Sequence, residues 1–541
     1  MPKRTKKNSQ PNFSSRDELL KLDKQDIIDL LLKVLDQNAK LSEMMRAAMF
    51  DRYGTKTERF SNPDQLNLFQ ETSTETQTSS AEVSDHQASE NSPSPDRAKS
   101  KPAKKTTSRQ VNPRHALLER ERIPLDGDHI TDLSCACCGA DKVKIGETVL
   151  KSRLEFRSSQ IILQEFFASI LGCQSCNELP KPVLTKKTAP ELGAGPKLIA
   201  QIAVSKFQDH LPLFRQQGIF NRIGADIPRS TMVGWLAQSA NKLRPLYDFI
   251  HQKLLDSKVI KTDDTTVKTL DRSKKNNIKR CNMWVYIGDE SAPYNIFDFT
   301  EGRGRAGPVE FLLDYKGFLQ GDCFSGNLAL CASSGATFVA CWAHARRYFF
   351  KAHCSGDASA AIALDLIKRL YEIESTAKEL RLSAEQLHLM REQESIPILK
   401  TLFDWMQKQS LIALPQSRLG KAINYTLNNW QFLFNYTLSG ILEIDNNTSE
   451  QEMKKIACGR KNWLFFGNNT GGEVAEVYLT LIASCRRNNV EPLRYLADMI
   501  ELFSESTPSN LEELLPDRWL RNADATAVAE MPPVLTAPKF E

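Results

Sequence analysis

The chain has 541 residues, of which 41% are hydrophobic and 25% are charged. This length predicts about three domains and is ample for burying a hydrophobic core. The composition excludes collagen, a fully disordered chain and a small disulfide scaffold. Lys and Arg total 71 against 66 for Asp and Glu, and the net charge of +5 is too small to establish a polyanionic partner.

The sequence predicts neither a membrane-spanning segment nor a secretory signal. No apolar run approaches the roughly 20 residues that a membrane-spanning helix needs. Residues 1–10 are basic and polar, and no apolar stretch follows them as it would in a secretory signal. We therefore expect neither export nor insertion into a membrane.

Residues 1–70 predict an N-terminal helix that begins near Ser15, which is spaced from Glu18 as in a capping box. Apolar residues then recur every seven positions, at Leu20, Ile27, Val34 and Leu41. This heptad spacing predicts a short coiled coil, although Asp23 interrupts its apolar seam. An amphipathic helix that docks on its own domain is an equally good interpretation.

Residues 71–112 predict a disordered linker. The segment is rich in Ser, Thr, Glu and Pro, and its large aliphatic residues are Val83 and Val111. It cannot bury enough apolar surface to offset the entropy lost on ordering. Its second half is basic and would suit DNA phosphates, but a solvated linker is the simpler interpretation.

Residues 113–182 predict a zinc-binding module. Two C-x-x-C knuckles would supply four thiolates to a tetrahedral Zn²⁺, and these ligands are Cys135, Cys138, Cys173 and Cys176. The alternating segment 149–170 predicts strands that bring the knuckles together. Cys137 leaves a second ligand register open, and incidental cysteines remain the alternative. No nearby acid suggests catalysis, so the predicted zinc is structural.

Residues 183–255 predict a helix-turn-helix. Segments 213–223 and 231–242 have helical patterns, Gly224 lies in the turn, and Ser230 can cap the second helix. In DNA-binding proteins this geometry places the start of the second helix in the major groove. The residues that would face the groove are Arg229, Ser230 and Thr231. Helical hairpins also occur in many proteins that never bind DNA.

The predicted elements of residues 256–342 follow the order of a ribonuclease-H-like α/β fold. Strands are predicted at 259–265, 283–287, 294–299, 317–324 and 338–342, with helices before and after the fourth strand. In that fold the first and fourth strands each place an Asp at a shared edge of the sheet. Here these residues are Asp263, in an Asp-Asp pair with Asp264, and Asp322.

Residues 343–442 predict a helical insertion that splits the catalytic fold. The second part, 443–488, carries Glu450 near the start of a polar helix, and 489–541 predict a helical tail. Two Asp and one Glu that meet at a point would hold two divalent cations about 4 Å apart. By spacing alone, however, inert surface acids are the stronger interpretation. The expected fold class is a multidomain α+β protein.

Ordered blocks along the chain resemble the insertion sequence 66 family of transposases. FDRYGTKTERFSNPDQLNLF (50–69) resembles the motif that follows the family's zipper, and SKFQDHLPLFRQQGIFNRIGADIPRSTMVGWL (205–236) resembles its DNA-binding segment. The double cysteine knuckle resembles its zinc finger. The blocks that resemble its catalytic core and tail are TDDTTVKTL, GFLQGDCFSGN, CWAHARRYFFKA, DNNTSEQ, GRKNWLFFGNNTGG, EPLRYLADMI and LEELLPDRWL.

The resemblance implies that Asp263, Asp322 and Glu450 are the catalytic carboxylates and bind two Mg²⁺ or Mn²⁺ ions. Two residues depart from the family's pattern. Asp264 stands where the family usually has Glu, and Gln451 stands where it generally has Arg. At the second departure the side chain beside the third acid is neutral and not basic, while the acid itself is present.

Basic residues near these acids are also implied by the resemblance. His344, Arg346 and Arg347 match the family's His-Ala-Arg-Arg block and would contact DNA or phosphate, while a structural role for His344 is an equally good interpretation. Arg460 and Lys461 would hold the DNA backbone, since basic residues beside an aromatic suit both phosphate and base contacts.

The resemblance therefore implies a DDE transposase that binds the terminal inverted repeats of its element, cleaves the 3′ strand ends and joins them to target DNA. It also implies a homo-oligomer, small accessory proteins of the same element, no membrane partner and a cytoplasmic location at the bacterial nucleoid. Two alternatives remain: a catalytically silent DNA-binding protein, and a ribonuclease-H-like nuclease that cuts without joining.

Overall fold

The computed structural model describes residues 119–124, 138–157, 160–173, 181–182 and 193–522, apart from positions 275, 305, 313 and 314, together with scattered positions between 28 and 45. The predicted linker and most of the predicted coiled coil, including its capping box, lie outside the described residues. The described residues of the N-terminal segment are helical and exposed. The side chains of Leu31, Val34 and Leu41 are 56%, 44% and 57% exposed. Their apolar face is thus open to solvent in this single chain.

The first sheet is built around a long antiparallel hairpin. Its strands are β1 (Arg120–Pro124), β2 (Lys142–Arg157), β3 (Gln160–Cys173) and β4 (Lys181–Pro182). β3 pairs with β2 in antiparallel and with β1 in parallel orientation, and β4 joins β3 near its end. The predicted strands at 149–170 form the centre of this hairpin, which returns the end of β3 to the start of β2.

Three helices follow: α1 (Pro196–Phe207), α2 (Leu213–Arg222) and α3 (Arg229–Leu254). The prediction of a second helix limited to 231–242 is wrong, because α3 has 26 residues and continues through Pro245. Pro228 occupies its N-cap position and no side chain caps the helix, so Ser230 is a residue of the first turn and not a cap.

The second sheet has five strands: β5 (Val259–Leu270), β6 (Ile278–Ile287), β7 (Asn295–Thr300), β8 (Phe318–Gly321) and β9 (Thr337–Ala340). Their order is β7-β6-β5-β8-β9; β5, β6 and β7 are antiparallel, whereas β8 and β9 run parallel to β5. The five predicted strands are confirmed, but β8 ends at Gly321, so Asp322 follows the strand and is not part of it.

Two short helices connect these strands, α4 (Ala306–Phe311) between β7 and β8 and α5 (Ser325–Ser334) between β8 and β9. The helical segment predicted after β9 then begins with α6 (Trp342–Cys354) and α7 (Ala360–Glu379). It continues through α8 (Ala384–Met390), a π-helical turn, α9 (Ile396–Ser410), α10 (Arg418–Asn428) and α11 (Trp430–Phe434). The prediction that this segment is helical is confirmed.

The chain returns to the second sheet through α12 (Asn447–Trp463) and α13 (Asn469–Arg487), and it ends in α14 (Pro492–Glu505) and α15 (Pro516–Asn522). α13 lies against β7, where Thr480 and Ser484 accept hydrogen bonds from the backbone amides of Phe297 and Asn295. One hydrophobic core extends from Leu154 to Trp519. Within the part of the chain that the structure describes, no helix is long and apolar enough to cross a membrane.

Candidate active site

The pairing of β5 with β8 brings two of the predicted acids together. Lys261 lies opposite Gln320 in the parallel register. Continuing that register by two residues places Asp263 beside Asp322, just beyond the last paired residue of β8. Gly321 permits this close approach, since a Cβ there would lie 3.1 Å from the carbonyl oxygen of Thr262.

The third acid reaches the same place through the start of α12. The buried amide of Asn446 donates a hydrogen bond from Nδ2 to the carbonyl oxygen of Thr262 (2.8 Å), one residue before Asp263. The backbone N–H of Glu450 donates to the carbonyl of Asn446 (3.2 Å), so Glu450 stands one helical turn further on. The bond between Asn446 and Thr262 holds the first turn of α12 against β5 and brings Glu450 near Asp263.

Burial and mutual repulsion perturb these carboxylates. The pKa of Asp263 is raised to about 7, first by burial and then by the negative charges of Asp322, Asp264 and Glu450, while the Asp264 N–H opposes the shift. Burial and the Asp264 carboxylate also raise the pKa of Asp322, against the opposing charges of Arg303 and His344. Such a concentration of carboxylates favours a divalent cation, because the ion neutralises charges that otherwise repel one another.

Asp264 occupies a different environment from Asp263. It accepts hydrogen bonds from Nδ2 of Asn282 (2.5 Å) and from Nε and Nη2 of Arg303 (3.1 and 2.8 Å). Its side chain is only 5% exposed. Nη2 of Arg303 also lies 3.5 Å from Asp322, and its guanidinium stacks on the ring of Phe324 at 4.5 Å. Asp264 is therefore satisfied by protein groups. The Asp263 carboxylate, in contrast, accepts a hydrogen bond from the Asp264 N–H (2.8 Å), and the charges of both Asp322 and Glu450 act on it.

Two residues of α6 contact the carboxylate of Glu450. Nε2 of His344 lies 3.6 Å from Oε1, and Nη2 of Arg347 lies 3.7 Å from Oε2. His344 and Arg347 are three residues apart on one helix and so share a face. Burial and the charge of Arg347 lower the pKa of His344, against the pull of Glu450 and Asp322. Both residues are thus placed to hold Glu450, and Arg346, half-buried, belongs to the same turn.

The two basic residues predicted at the end of α12, Arg460 and Lys461, lie in different surroundings. Nη1 of Arg460 donates to Oγ1 of Thr265 (2.9 Å) and to the carbonyl of Thr266 (2.6 Å), so this side chain ties α12 to β5. Lys461 is exposed. A contact of either residue with DNA stays a prediction.

The remaining predicted residues belong to the predicted helix-turn-helix and to the predicted zinc module. Arg229 and Ser230 are exposed at the start of α3, and Thr231 is half-buried. Of the four predicted zinc ligands, Cys135 and Cys176 lie outside the described residues, as does Cys137. Cys138 is exposed. Cys173 ends β3 opposite Lys142, although its side chain is not described.

Three residues of this site were not predicted from the sequence: Arg303, Asn446 and Cys341. Arg303 and Asn446 act on strand residues far away in the chain, and no local pattern marks them. Cys341 is the N-cap residue of α6, and its Sγ accepts a hydrogen bond from the N–H of Asn446 (3.2 Å). Its spacing from His344 is a detectable signal, because positions i and i+3 at a helix start lie on one face.

Comparison with known proteins assigns this chain to a family of transposases. A family model described as Transposase IS66 family matches residues 192–474, more than half of the chain, and one described as IS66 C-terminal element matches residues 480–516. The chain therefore belongs to the IS66 family of transposases, as the resemblance implied. Membership implies a DNA-processing enzyme whose substrate is DNA.

Relatives of similar length occur in Sinorhizobium fredii (strain NBRC 101917 / NGR234), where they are described as uncharacterized proteins. The protein y4hP is 29% identical over 437 residues, which cover 76% of this chain and 77% of the relative. The protein y4jD is 31% identical over 406 residues, 71% of this chain and 78% of the relative. The protein y4qI is 33% identical over 347 residues, 61% of this chain and 63% of the relative.

Proposed function

We propose that this chain is a DDE transposase that binds the terminal inverted repeats of its insertion sequence, cleaves the 3′ strand ends and joins them to target DNA. The observation that carries this proposal is the placement of Asp263 beside Asp322 in the β5–β8 register, with Glu450 close enough to raise the pKa of Asp263.

The strand order of the second sheet supports a ribonuclease-H-like catalytic core. Three antiparallel strands followed by two that run parallel to the first, in the order β7-β6-β5-β8-β9, match the sequence prediction for that fold. The first acid lies in β5 and the second follows β8, and these strands are neighbours. The third acid comes from α12, which the helical segment 342–438 separates from the sheet in sequence.

The residues fit a two-ion site. Asp263, Asp322 and Glu450 offer the hard oxygen ligands that Mg²⁺ and Mn²⁺ prefer. The ions would supply Lewis-acid stabilisation of the attacking and leaving oxygens in an in-line phosphoryl transfer. The protein's own contribution is orientation: Asn446 fixes the turn that carries Glu450, His344 and Arg347 lie beside its carboxylate, and Arg303 holds Asp264 beside the site.

The proposed DNA-binding parts lie on the N-terminal side of this core. Cys138 precedes β2, and the hairpin returns Cys173 to the start of that strand, which supports a shared zinc site for the two knuckles. The exposed start of α3, with Arg229 and Ser230, supports a groove contact by a helix-turn-helix. Dimers or larger assemblies would pair two element ends, and accessory proteins of the element would act with them.

A cleavage assay on labelled element-end DNA tests the proposal. With Mg²⁺, the wild type is expected to nick the 3′ strand, and Asp322→Asn is expected to lose at least about 10³-fold in rate while binding the same DNA. Asp365→Asn, an exposed acid of α7, is the matched control and should cleave like the wild type. Cleavage by Asp322→Asn at the wild-type rate would remove Asp322 from the mechanism.

A further inference from the structure

The starts of two helices meet at Cys341. Cys341 is the N-cap residue of α6, and its Sγ accepts a hydrogen bond from the backbone N–H of Asn446, the N-cap residue of α12 (3.2 Å). The backbone N–H of Trp342 donates to the carbonyl of Ile444 (3.1 Å). These two bonds hold the first turn of α6, with His344, against the first turn of α12, with Glu450.

This junction places three metal-ligating side chains together. One ligand atom from each of Cys341, His344 and Glu450 lies within 4.8 Å of the other two, and no other group of three such side chains is as compact within the residues the structure describes. The 3.6 Å between Nε2 of His344 and Oε1 of Glu450 is close to the roughly 3.4 Å that separates two ligands on one tetrahedral Zn²⁺.

Oε1 of Glu450, one of the atoms that would ligate the ion, is buried without a hydrogen-bond partner among the described residues, as is Nδ1, the other ring nitrogen of His344. Unsatisfied buried polar atoms are rare in folded proteins and often mark a bound ion or water. Arg347 contacts the other carboxylate oxygen, Oε2, so Oε1 keeps its lone pairs for a ligand.

The ligand atoms differ in chemistry from the carboxylates of Asp263 and Asp322. Sulfur and imidazole nitrogen are soft or borderline ligands, which suit Zn²⁺ and Co²⁺, whereas Mg²⁺ takes oxygen ligands almost exclusively. A Cys, a His and a Glu together make a three-residue set that leaves one tetrahedral position open.

We propose that Cys341, His344 and Glu450 form a second metal site, specific for a transition-metal ion such as Zn²⁺ and distinct from the predicted four-cysteine zinc module. The thiol of Cys341 releases its proton to solvent on binding, because the thiolate is the ligand. The site shares Glu450 with the proposed Mg²⁺ site, so the two compete for that carboxylate. It stands on the geometry of the junction and does not depend on the proposed function.

Cobalt binding to the full-length protein without DNA tests this site. The wild type and Cys341→Ala are equilibrated with Co²⁺, and bound Co and Zn per chain are measured together with thiolate-to-cobalt absorption. The wild type is expected to hold one ion more per chain than Cys341→Ala and to show the stronger absorption. Because the readout is binding, failure of the transposase proposal would leave the result unchanged.

Two further variants separate ligand loss from damage to the fold. Cys485→Ala removes another buried thiol, on α13, and should keep the full metal content of the wild type. His344→Asn keeps every cysteine and should weaken the extra Co²⁺ by at least about 100-fold, the upper end of what loss of a supporting group costs. If Cys341→Ala or His344→Asn binds as much Co²⁺ as the wild type and with equal affinity, the proposed site is wrong.

Discussion

Burial and the charges of the neighbouring acids all act on the carboxylate of Asp263. Its pKa in the folded chain is about 7, against an ordinary value of 3.8. Between these two pH values the folded chain binds more protons at this group than the unfolded chain does. Its contribution to stability is therefore present at low pH and is lost as the pH rises through about 7. A divalent cation bound to this carboxylate would neutralise its negative charge and so remove the same loss of stability.

Asp263→Asn should thus raise the free energy of unfolding at pH 8, without added divalent cation, by roughly 1–4 kcal/mol, and should have little effect below pH 4. Urea unfolding at both pH values measures the difference. Asp298→Asn is the matched control, because burial also raises the pKa of Asp298 to about 7, with Glu476 adding to the shift. Added Mg²⁺ should stabilise the wild type and Asp298→Asn but not Asp263→Asn; equal responses of all three would contradict a cation at Asp263.

The adjacent acids should fail in different ways when replaced. Asp263→Ala is expected to abolish cleavage with the fold intact, because the charges of both Asp322 and Glu450 act on this carboxylate. Asp264→Ala should lower the free energy of unfolding by about 1–3 kcal/mol, since it leaves Asn282 and Arg303 without their partner. Cleavage assays and urea unfolding of both variants distinguish the roles. Normal cleavage by Asp263→Ala, with none by Asp264→Ala, would reverse the assignment.

At this scale the sequence predicts residue types more readily than their partners. Asp263, Asp322 and Glu450 were predicted because they lie in blocks that resemble a known family. The bond between Arg303 and Asp264 depends on how the chain after β7 folds back over β5, and no local spacing encodes it. No local spacing encodes the bond between Asn446 and Thr262 either, because the helical segment separates these two residues in the sequence.

Among the elements, α12 has its first turn anchored to β5 by the buried side chain of Asn446. Asn446→Ala should lower the free energy of unfolding by about 1–3 kcal/mol, because it leaves the buried carbonyl of Thr262 without its donor. Cleavage should fall as well, since the turn that carries Glu450 loses its anchor. Asn462→Ala, an exposed residue later in the same helix, is the control for losing an Asn. Wild-type stability and cleavage in Asn446→Ala would show that other contacts position the helix.

The helical segment between β9 and α12 has its own buried anchor, Arg391. Its guanidinium forms a bidentate pair with Glu374 (2.8 and 2.7 Å) and donates to the carbonyls of Tyr436, Ser439 and Leu442. The side chain has no exposed surface. Arg391→Met should cost about 3–5 kcal/mol by stranding Glu374 and three carbonyls.

Chemical denaturation of Arg391→Met measures that loss, and Arg381→Met, at an exposed residue just after α7, is the control. A loss below about 1 kcal/mol would mean that water replaces the guanidinium. Because Leu442 leads directly into the start of α12, the variant should also weaken cleavage.

The sequence predicted the presence of strands and helices more successfully than it predicted their first and last residues. Alternation and β-branched residues mark β5 to β9, and their predicted order is the order found. The length of α3 was missed, because a proline normally ends a helix. Leu243, Leu246 and Ile250 are fully buried on both sides of Pro245, and this packing holds the helix together. Burial of that kind depends on the rest of the fold and is not visible in a local pattern.

Over the whole molecule, one core joins the hairpin sheet, the helices α1 to α3 and the five-stranded sheet. Ser239 of α3 hydrogen bonds to Tyr478 of α13 (2.5 Å), and Arg244 pairs with Glu476 (2.7 Å). The proposed recognition helix is therefore fixed to the helix that covers β7. Binding of DNA by α3 and chemistry at β5 would occur on one connected body, which suits an enzyme that must cut at a defined distance from its recognition sequence.

The most direct test of this account is a Mg²⁺-dependent joining assay with pre-cleaved element ends and a target plasmid, comparing the wild type with Glu450→Gln. Glu452→Gln, two positions along the same helix, is the matched control. We expect joined products from the wild type and Glu452→Gln, and a loss of at least about 10³-fold in Glu450→Gln with end binding retained. Joining by Glu450→Gln at the wild-type rate would contradict the assignment of the third carboxylate.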